Sequence, residues 1–459
     1  MRISSRFIYF FGALGGMLFG YDFGVISGTL HFLDKNLRVT ENSLQEGFVA
    51  AAVLIGAGIG AIAVGKAADL VGRKKLLIAS SIIFCIGALL SGFAFDAFYI
   101  VAARILLGLA IGSVSALVPM YLSELAPTSS RGSIAFLNQL MIVLGILLSY
   151  VVNFLLVRIG SPEWNTQWGW RFALGGAVIP GFVMLLGSLL LPESPRFLVR
   201  IGDLDSARAV LTNLRPVSEV DEEIDVIKAN IKTKFGSFKD IFSRFVRPAL
   251  FVGAGLAFFQ QFMGCNIVVY YAPKVLEVAG FNDLNQRLVA IGIGIFNVIA
   301  TIIAIAIVDK INRRTLLTIG GIVMGISVGV IAWVDYNISG STVSITEQVV
   351  ISIMLILYIL AFGITWGGTM WVVLGEIFPL HVRGLGVGIA SMVNWLANFL
   401  VVLLFPVLLG TLGNNKYWIF IGIGLFCLLG VVFVRTVAFE TRGLSLEEIE
   451  TNLQKKAMK

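Results

Sequence analysis

Asp22 is the only acidic residue well inside any long apolar run of this chain, and Arg104 is the only basic one. A lone carboxylate in hydrocarbon is expensive, so it has to be neutral, paired or facing water. Arg104 is the obvious partner. Pairing with a cation favours the charged carboxylate, while separation in a dry site favours the protonated one. Together the two residues can therefore take up a proton in one conformation and release it in another. The alternative is a buried pair that only locks helices together. No second acidic or hydroxyl-rich cluster accompanies Asp22, which argues for a proton over sodium.

A second set of groups is polar but neutral. Asn138, Gln139, Gln260, Gln261, Asn266, Asn297, Asn394 and Asn398 all lie within apolar runs. Amides both donate and accept hydrogen bonds, which suits a ligand made of hydroxyl groups better than a charged one. Tyr270, Tyr271, Trp366, Trp371 and Trp395 accompany them and offer flat faces to sugar-ring C–H bonds. For any one amide, an interhelical hydrogen bond is an equally good explanation. Taken as a set, they point to a polyol site. On a regular helix Gln261 and Asn266 point about 140° apart. Gly264 between them and Pro273 beyond would allow a break that turns both inward.

Other chemistries find no support. Cys85, Cys265 and Cys427 lie far apart in apolar runs, and neither His31 nor His381 completes a metal-ligand spacing with them. No metal and no cofactor are expected. Gly60-Ala-Ile-Ala-Val-Gly65-Lys66-Ala67 nearly spells a phosphate-binding loop, but the final Ser or Thr is missing and no strand precedes it. With no ATP-binding motif elsewhere, a gradient has to supply the energy. No Ser–His or Cys–His arrangement lies near the amides, so an enzyme is not expected. Glycines at 12, 16, 20, 24 and 28 repeat a step of four through the first apolar run. Such a stripe either slides during gating or simply lets another helix pack closely, which is the commoner case.

These residues need elements that span lipid. The chain has 459 residues, 58% hydrophobic and 13% charged, with a mean hydropathy of +0.92. Soluble domains are about a quarter charged. The composition excludes a cytosolic enzyme, a disordered chain, a disulfide scaffold and a β-barrel, whose strands alternate. An all-α membrane protein remains. Twelve runs are long enough to span the bilayer, near 7–30, 46–64, 76–95, 99–121, 133–157, 170–191, 248–271, 288–308, 315–334, 349–371, 385–409 and 416–439. The first is too long for a signal-peptide core and is kept as a helix.

Residues 192–247 are far more charged than their surroundings and predict a water-exposed helical insert between two sets of six. Within it, Ser218 with Asp221 reads as a helix start before a stripe of Val220, Ile224, Ile227 and Ile231. Ser445 and Glu448 play the same part before Leu446, Ile449 and Leu453. With the N-terminus inside, the inner segments hold 26 Lys and Arg against 7 in the outer loops. That asymmetry puts both termini and the insert in the cytoplasm. It also explains the net charge of +7 as topology, so no nucleic-acid partner is expected.

The halves echo each other. Glu124-Leu-Ala-Pro-Thr-Ser-Ser-Arg131-Gly matches Glu376-Ile-Phe-Pro-Leu-His-Val-Arg383-Gly, Asp69…Arg73-Lys74 matches Asp309…Arg313-Arg314, and Glu193-Ser-Pro-Arg196 matches Glu440-Thr-Arg442. Each pair falls at the same boundary of its half, as parallel repeats around a central path require.

With these motifs the chain resembles the sugar porters of the major facilitator superfamily over nearly its whole length. The matching pieces are Gly65…Asp69-Leu-Val-Gly72-Arg73-Lys74, Pro192-Glu193-Ser-Pro-Arg196, Gln260-Gln261-Phe-Met-Gly-Cys-Asn266, Tyr270-Tyr271-Ala-Pro273 and Phe439-Glu440-Thr-Arg442-Gly443. The resemblance is nearest to bacterial proton-coupled D-xylose and D-glucose symporters. It implies two parallel six-helix bundles, 1–191 and 248–440, joined by the 192–247 insert and followed by a cytoplasmic tail, 441–459. It further implies that Gln139, Gln260, Gln261, Asn266, Asn297, Trp371 and Asn394 bind sugar. Asp22 near Arg104 would couple the proton, a position where facilitative members carry Asn. Asp69, Arg73, Glu124, Arg131, Glu193, Arg196, Asp309, Arg313, Glu376, Arg383 and Glu440 would form a gating network that holds the outward-open state.

The sequence departs from that pattern at Leu70, where a basic residue is usual, and at Ile305 and Asn312, where the second half lacks the glycines matching Gly65 and Gly72. It also departs at Ile146, where some xylose carriers have a second amide, which leaves the exact sugar open. The expected function is proton-coupled import of a monosaccharide across the plasma membrane by alternating access, carried out by a monomer. A facilitative uniporter with the same site is the near alternative, and a sugar sensor on the same fold the distant one.

Overall fold

Backbone groups inside lipid find no water, so each apolar run has to close its hydrogen bonds internally, and helix is the local way to do so. The computed structural model describes residues 5–37, 43–125, 131–231, 238–278, 280–338, 344–379, 382–413 and 415–442, and there the chain is helical with no strand. The helices are α1 (Ser5–Leu37), α2 (Ser43–Val71), α3 (Arg73–Gly92), α4 (Ala97–Leu125), α5 (Arg131–Ile159) and α6 (Pro162–Leu190), the last with a π-helical turn at Asn165–Gly169. Then come α7 (Pro195–Arg200), α8 (Leu204–Thr212), α9 (Val217–Ile231) and the short α10 (Phe238–Ile241). The second set comprises α11 (Arg247–Phe262), α12 (Cys265–Val278), α13 (Asp283–Ile307), α14 (Arg313–Ile338), α15 (Ile345–Ile364), α16 (Trp366–Ile377), α17 (Arg383–Leu412) and α18 (Tyr417–Thr436).

Among the described residues, 12 helical stretches are long and apolar enough to cross a membrane, and α11–α12 and α15–α16 each supply one broken stretch. Large apolar side chains such as Phe98, Ile179 and Trp333 point outward, while Arg104, Ser149 and Asn394 are buried. This is the reverse of a soluble protein and is what a lipid solvent demands. The chain is a multi-pass membrane protein.

The helices form two compact units, one of Met1–Arg38 and Ala52–Lys234, the other of Val39–Ala51 and Phe235–Lys459. In the first, α1 runs along α5, and the glycine stripe is what lets it do so. A methyl on Gly16 would lie 2.5 Å from the Asn138 carbonyl oxygen, and one on Gly20 would collide with the Ile142 carbonyl. Gly145 returns the contact against Met17. The stripe is therefore a close-packed seam inside one unit: Gly16 and Gly20 press on the α5 backbone, Gly24 and Gly28 on the α5 side chains Ser149 and Asn153, and Gly12 on Leu122 of α4.

The insert helices α7–α9 close over their own small core of Leu198, Val199, Ala207, Leu211, Val220, Ile224 and Ile227, which includes three residues of the expected stripe. Ser218, however, lies inside α9, which starts at Val217, and the Asp221 carboxylate meets Arg208 at 2.6 Å. Arg215 ties the insert to its unit: it pairs with Glu223 at 2.8 Å and donates to the Leu125 carbonyl at the end of α4, at 3.0 Å. Ser445, Leu446, Glu448, Ile449 and Leu453 lie outside the described residues, as does His381.

Candidate functional site

In the first unit, α1 and α4 bring Asp22 and Arg104 face to face. Both guanidinium Nη atoms donate to the carboxylate, Nη1 to Oδ1 and Nη2 to Oδ2, each at 3.3 Å. Asp22 is 2% exposed and Arg104 0%. The planar fork suits a two-oxygen acceptor, and each charge answers the other's desolvation. Next to the pair, the Tyr21 hydroxyl donates to the Ala173 carbonyl at 3.0 Å and fixes α1 against α6. Gln139 stands half-buried on α5 of the same unit.

The second unit gathers the amides, and the break foreseen at Gly264 is what permits it. Helix α11 ends at Phe262, Gly264 takes a φ of 89°, which favours glycine, and α12 starts at Cys265. Across this break Asn266 Nδ2 donates to Gln261 Oε1 at 2.5 Å. Gln261 Nε2 donates to Gln260 Oε1 at 3.2 Å, and Asn394 Nδ2 from α17 donates to the same oxygen at 2.9 Å. Gln260 Nε2 in turn donates to the Trp366 carbonyl at 2.9 Å, a carbonyl at the start of α16, just past the second break at Thr365. The result is a row Asn266–Gln261–Gln260–Asn394 held by four helices. Among the described residues, no hydrogen bond reaches Asn266 Oδ1 or Asn394 Oδ1, so both ends of the row keep an acceptor for a donor such as a sugar hydroxyl.

Not every expected residue joins the row. Asn297 on α13 is buried, and its Oδ1 would lie 3.1 Å from a methyl on Gly363 of α15. The ring of Trp366 is fully buried and its Nε1 donates to the Leu317 carbonyl at 2.8 Å, so only its backbone meets the row. Tyr271 is likewise committed: its hydroxyl donates to the Val402 carbonyl at 2.9 Å and its ring packs on Phe405. Tyr270 and Trp395 are buried, whereas Trp371 is 40% exposed and keeps an open face.

The echoed charged motifs fold into the same cluster twice. Arg73 uses its backbone N–H on Glu193 at 2.9 Å, Nη1 on the Ala68 carbonyl at 2.8 Å, and Nη2 on Asp69 and Glu124 at 3.0 Å each. Arg313 repeats this on Glu440 at 2.9 Å, the Val308 carbonyl at 2.7 Å, Asp309 at 3.2 Å and Glu376 at 3.1 Å. Gly72, at a φ of 97°, leaves the space that the Glu193 carboxylate fills. Asn312 stands in its place in the second half and accepts from Arg442 at 3.3 Å.

Sequence reasoning missed the hydroxyls that complete each cluster, Ser194 on Glu124 and Thr441 on Glu376. Their signal was available, because each directly follows the glutamate of its motif. Arg200, which pairs with Asp69 at 2.9 Å, was also missed. Arg196 is exposed and joins no ion pair among the described residues, and Arg383 reaches the Phe378 carbonyl rather than a carboxylate. The side chain of Arg131 and the surroundings of Gly65 lie outside the described set.

Comparison with known proteins decides the family. The model of the sugar (and other) transporter family matches residues 8–453. The chain belongs to that family. Sugar transporters similar to it include a D-xylose transporter of Levilactobacillus brevis, 47% identical over 99% of this chain and 97% of that protein. The glucose transporter GlcP of Staphylococcus epidermidis is 39% identical over 99% of each chain. Among solved structures, the proton:xylose symporter XylE of the major facilitator superfamily, bound to 6-bromo-6-deoxy-D-glucose, superposes with a TM-score of 0.80. It is 32% identical and the match covers 98% of each chain. This sugar transporter therefore has the major facilitator fold, and it is a transporter rather than an enzyme.

Proposed function

We propose that this sugar transporter is a proton-coupled monosaccharide symporter of the D-xylose or D-glucose class. It would import sugar across the plasma membrane as a monomer, with both termini and the insert in the cytoplasm. The buried Asp22–Arg104 pair carries the reading, supported by the naming of XylE as a proton:xylose symporter. A proton on Asp22 cancels the charge that holds the fork, so loading with a proton and opening of the pair are one event. Sugar hydroxyls would donate to Asn266 Oδ1 and Asn394 Oδ1 and exchange partners along the Gln260–Gln261 row, with the open face of Trp371 available for stacking. Gln139 would complete the set. The Arg73 and Arg313 clusters would stabilise the inner ends of the helices and so set the balance between outward- and inward-open states.

Moving one charge through 100 mV supplies about 2.3 kcal/mol, enough for roughly fifty-fold accumulation of sugar. The test is uptake into proteoliposomes under an imposed pH gradient, competed by a panel of pentoses and hexoses. Accumulation above the outside concentration supports symport. Equilibration that ignores the gradient means a uniporter with the same site.

A further inference from the structure

Glu46 and Lys274 belong to neither the amide row nor the charged clusters. Glu46 lies in the first turn of α2 with its side chain 4% exposed, and both carboxylate oxygens accept from Lys274 Nζ, at 2.5 and 2.6 Å. A carboxylate so far removed from water needs its cation. Lys274 sits on α12 beyond the distortion at Tyr271 (φ −126°, ψ 21°) and next to Pro273. One end of this broken helix thus carries Asn266 of the amide row, and the other is pinned to Glu46.

The first turns of α2 also lie against α17. The backbone of Gly47 approaches the Leu403 carbonyl too closely for any methyl to fit, and the rings of Phe48 and Phe399 are 6.3 Å apart. Residues 43–51 group with the second unit for this reason, while the same unbroken helix joins the first unit from Ala52 onward. Because α2 is one continuous helix, any tilt of its later turns has to peel these first turns away from α12 and α17 or bend α2. The packing contacts can release gradually. Opening the ion pair in addition exposes a carboxylate that is otherwise buried and separates it from its cation.

We propose that Glu46–Lys274 is an outer latch, which holds the start of α2 on the second unit and opens when the outer side of the transporter opens. The proposal rests on the alternating-access reading and its topology, which places the α1–α2 connection outside. Because the latch grips the far end of the helix that bears Asn266, it links outer closure to the amide row.

The test places nitroxide labels at Leu44→Cys and Glu277→Cys, with Cys85, Cys265 and Cys427 replaced by alanine, and measures their separation by pulsed electron resonance in lipid nanodiscs. Glu46→Gln and Lys274→Gln should each enlarge a longer-distance population. The exchange Glu46→Lys with Lys274→Glu should return the parent distribution. Parent-like distances in both single variants overturn the latch, as does failure of the exchange to restore them. The measurement needs no transport, so a chain that fails to carry sugar would sink the symport reading while leaving the latch result to stand or fall by itself.

Discussion

Asn394 on α17 donates to the same Gln260 oxygen that Gln261 uses, at 2.9 Å against 3.2 Å. Gln260 is therefore the hub of the amide row, and its loss should be felt beyond its own contact with sugar.

Replacing Gln260 by alanine takes the acceptor from Gln261 Nε2 and leaves Asn394 Nδ2 only the Ala257 carbonyl at 3.3 Å, and it removes the side-chain donor to the Trp366 carbonyl. Each buried polar group left unpaired costs about 1–3 kcal/mol. We expect Gln260→Ala to weaken sugar binding by at least about tenfold, and by more than Asn394→Ala does. Equilibrium sugar binding to the purified transporter checks both.

The α1–α5 seam predicts a contrast between glycines. Gly20→Val forces a side chain into the Ile142 carbonyl, and overpacking of this kind costs about 1–3 kcal/mol. Gly329→Ala on α14 meets nothing within 4 Å and should be neutral. Thermal unfolding in detergent should fall for the first variant and hold for the second.

Arg73→Ala and Arg313→Ala should behave alike, because the two arginines hold the same set of partners. Removing one member of a pair buried on both sides, as Arg73–Glu124 is, costs about 3–5 kcal/mol. The partly exposed Glu376 makes the cost at Arg313 smaller in stability though not in use. The expected result is a large loss of sugar uptake, with binding by the purified protein changed less than about threefold. Unequal phenotypes would show that the two clusters, though alike in geometry, are not alike in use.

Arg215→Ala should loosen the insert. It loses two charge-assisted links, to Glu223 and to the Leu125 carbonyl, worth about 1.5–3 kcal/mol each. Limited proteolysis within 200–231 should accelerate while the spans stay intact.

Much of this was legible in the sequence, for reasons that differ by residue. Lipid forces long apolar runs, so the twelve spans could be counted, and the scarcity of charge made Asp22 and Arg104 stand out. The break at Gly264 was readable because Gly and Pro act locally. Which side of a helix faces its neighbour is not local, and there the reading ran short. Trp366 and Tyr271 looked like open stacking faces but are spent on backbone carbonyls of α14 and α17. The glycine stripe admitted two readings until α5 was seen against it. Glu46 and Lys274 were invisible as a pair, since 228 residues separate them and each sits at a helix end where charge is unremarkable.

The central claim is that a proton crosses with each sugar by way of Asp22. The direct measurement is the pH of a lightly buffered medium when sugar is added to de-energised cells or vesicles carrying the transporter. The wild type should alkalinise the medium, and Asp22→Asn should abolish the signal while sugar counterflow persists. Sugar entry by the wild type without alkalinisation, or alkalinisation that survives Asp22→Asn, would contradict the account.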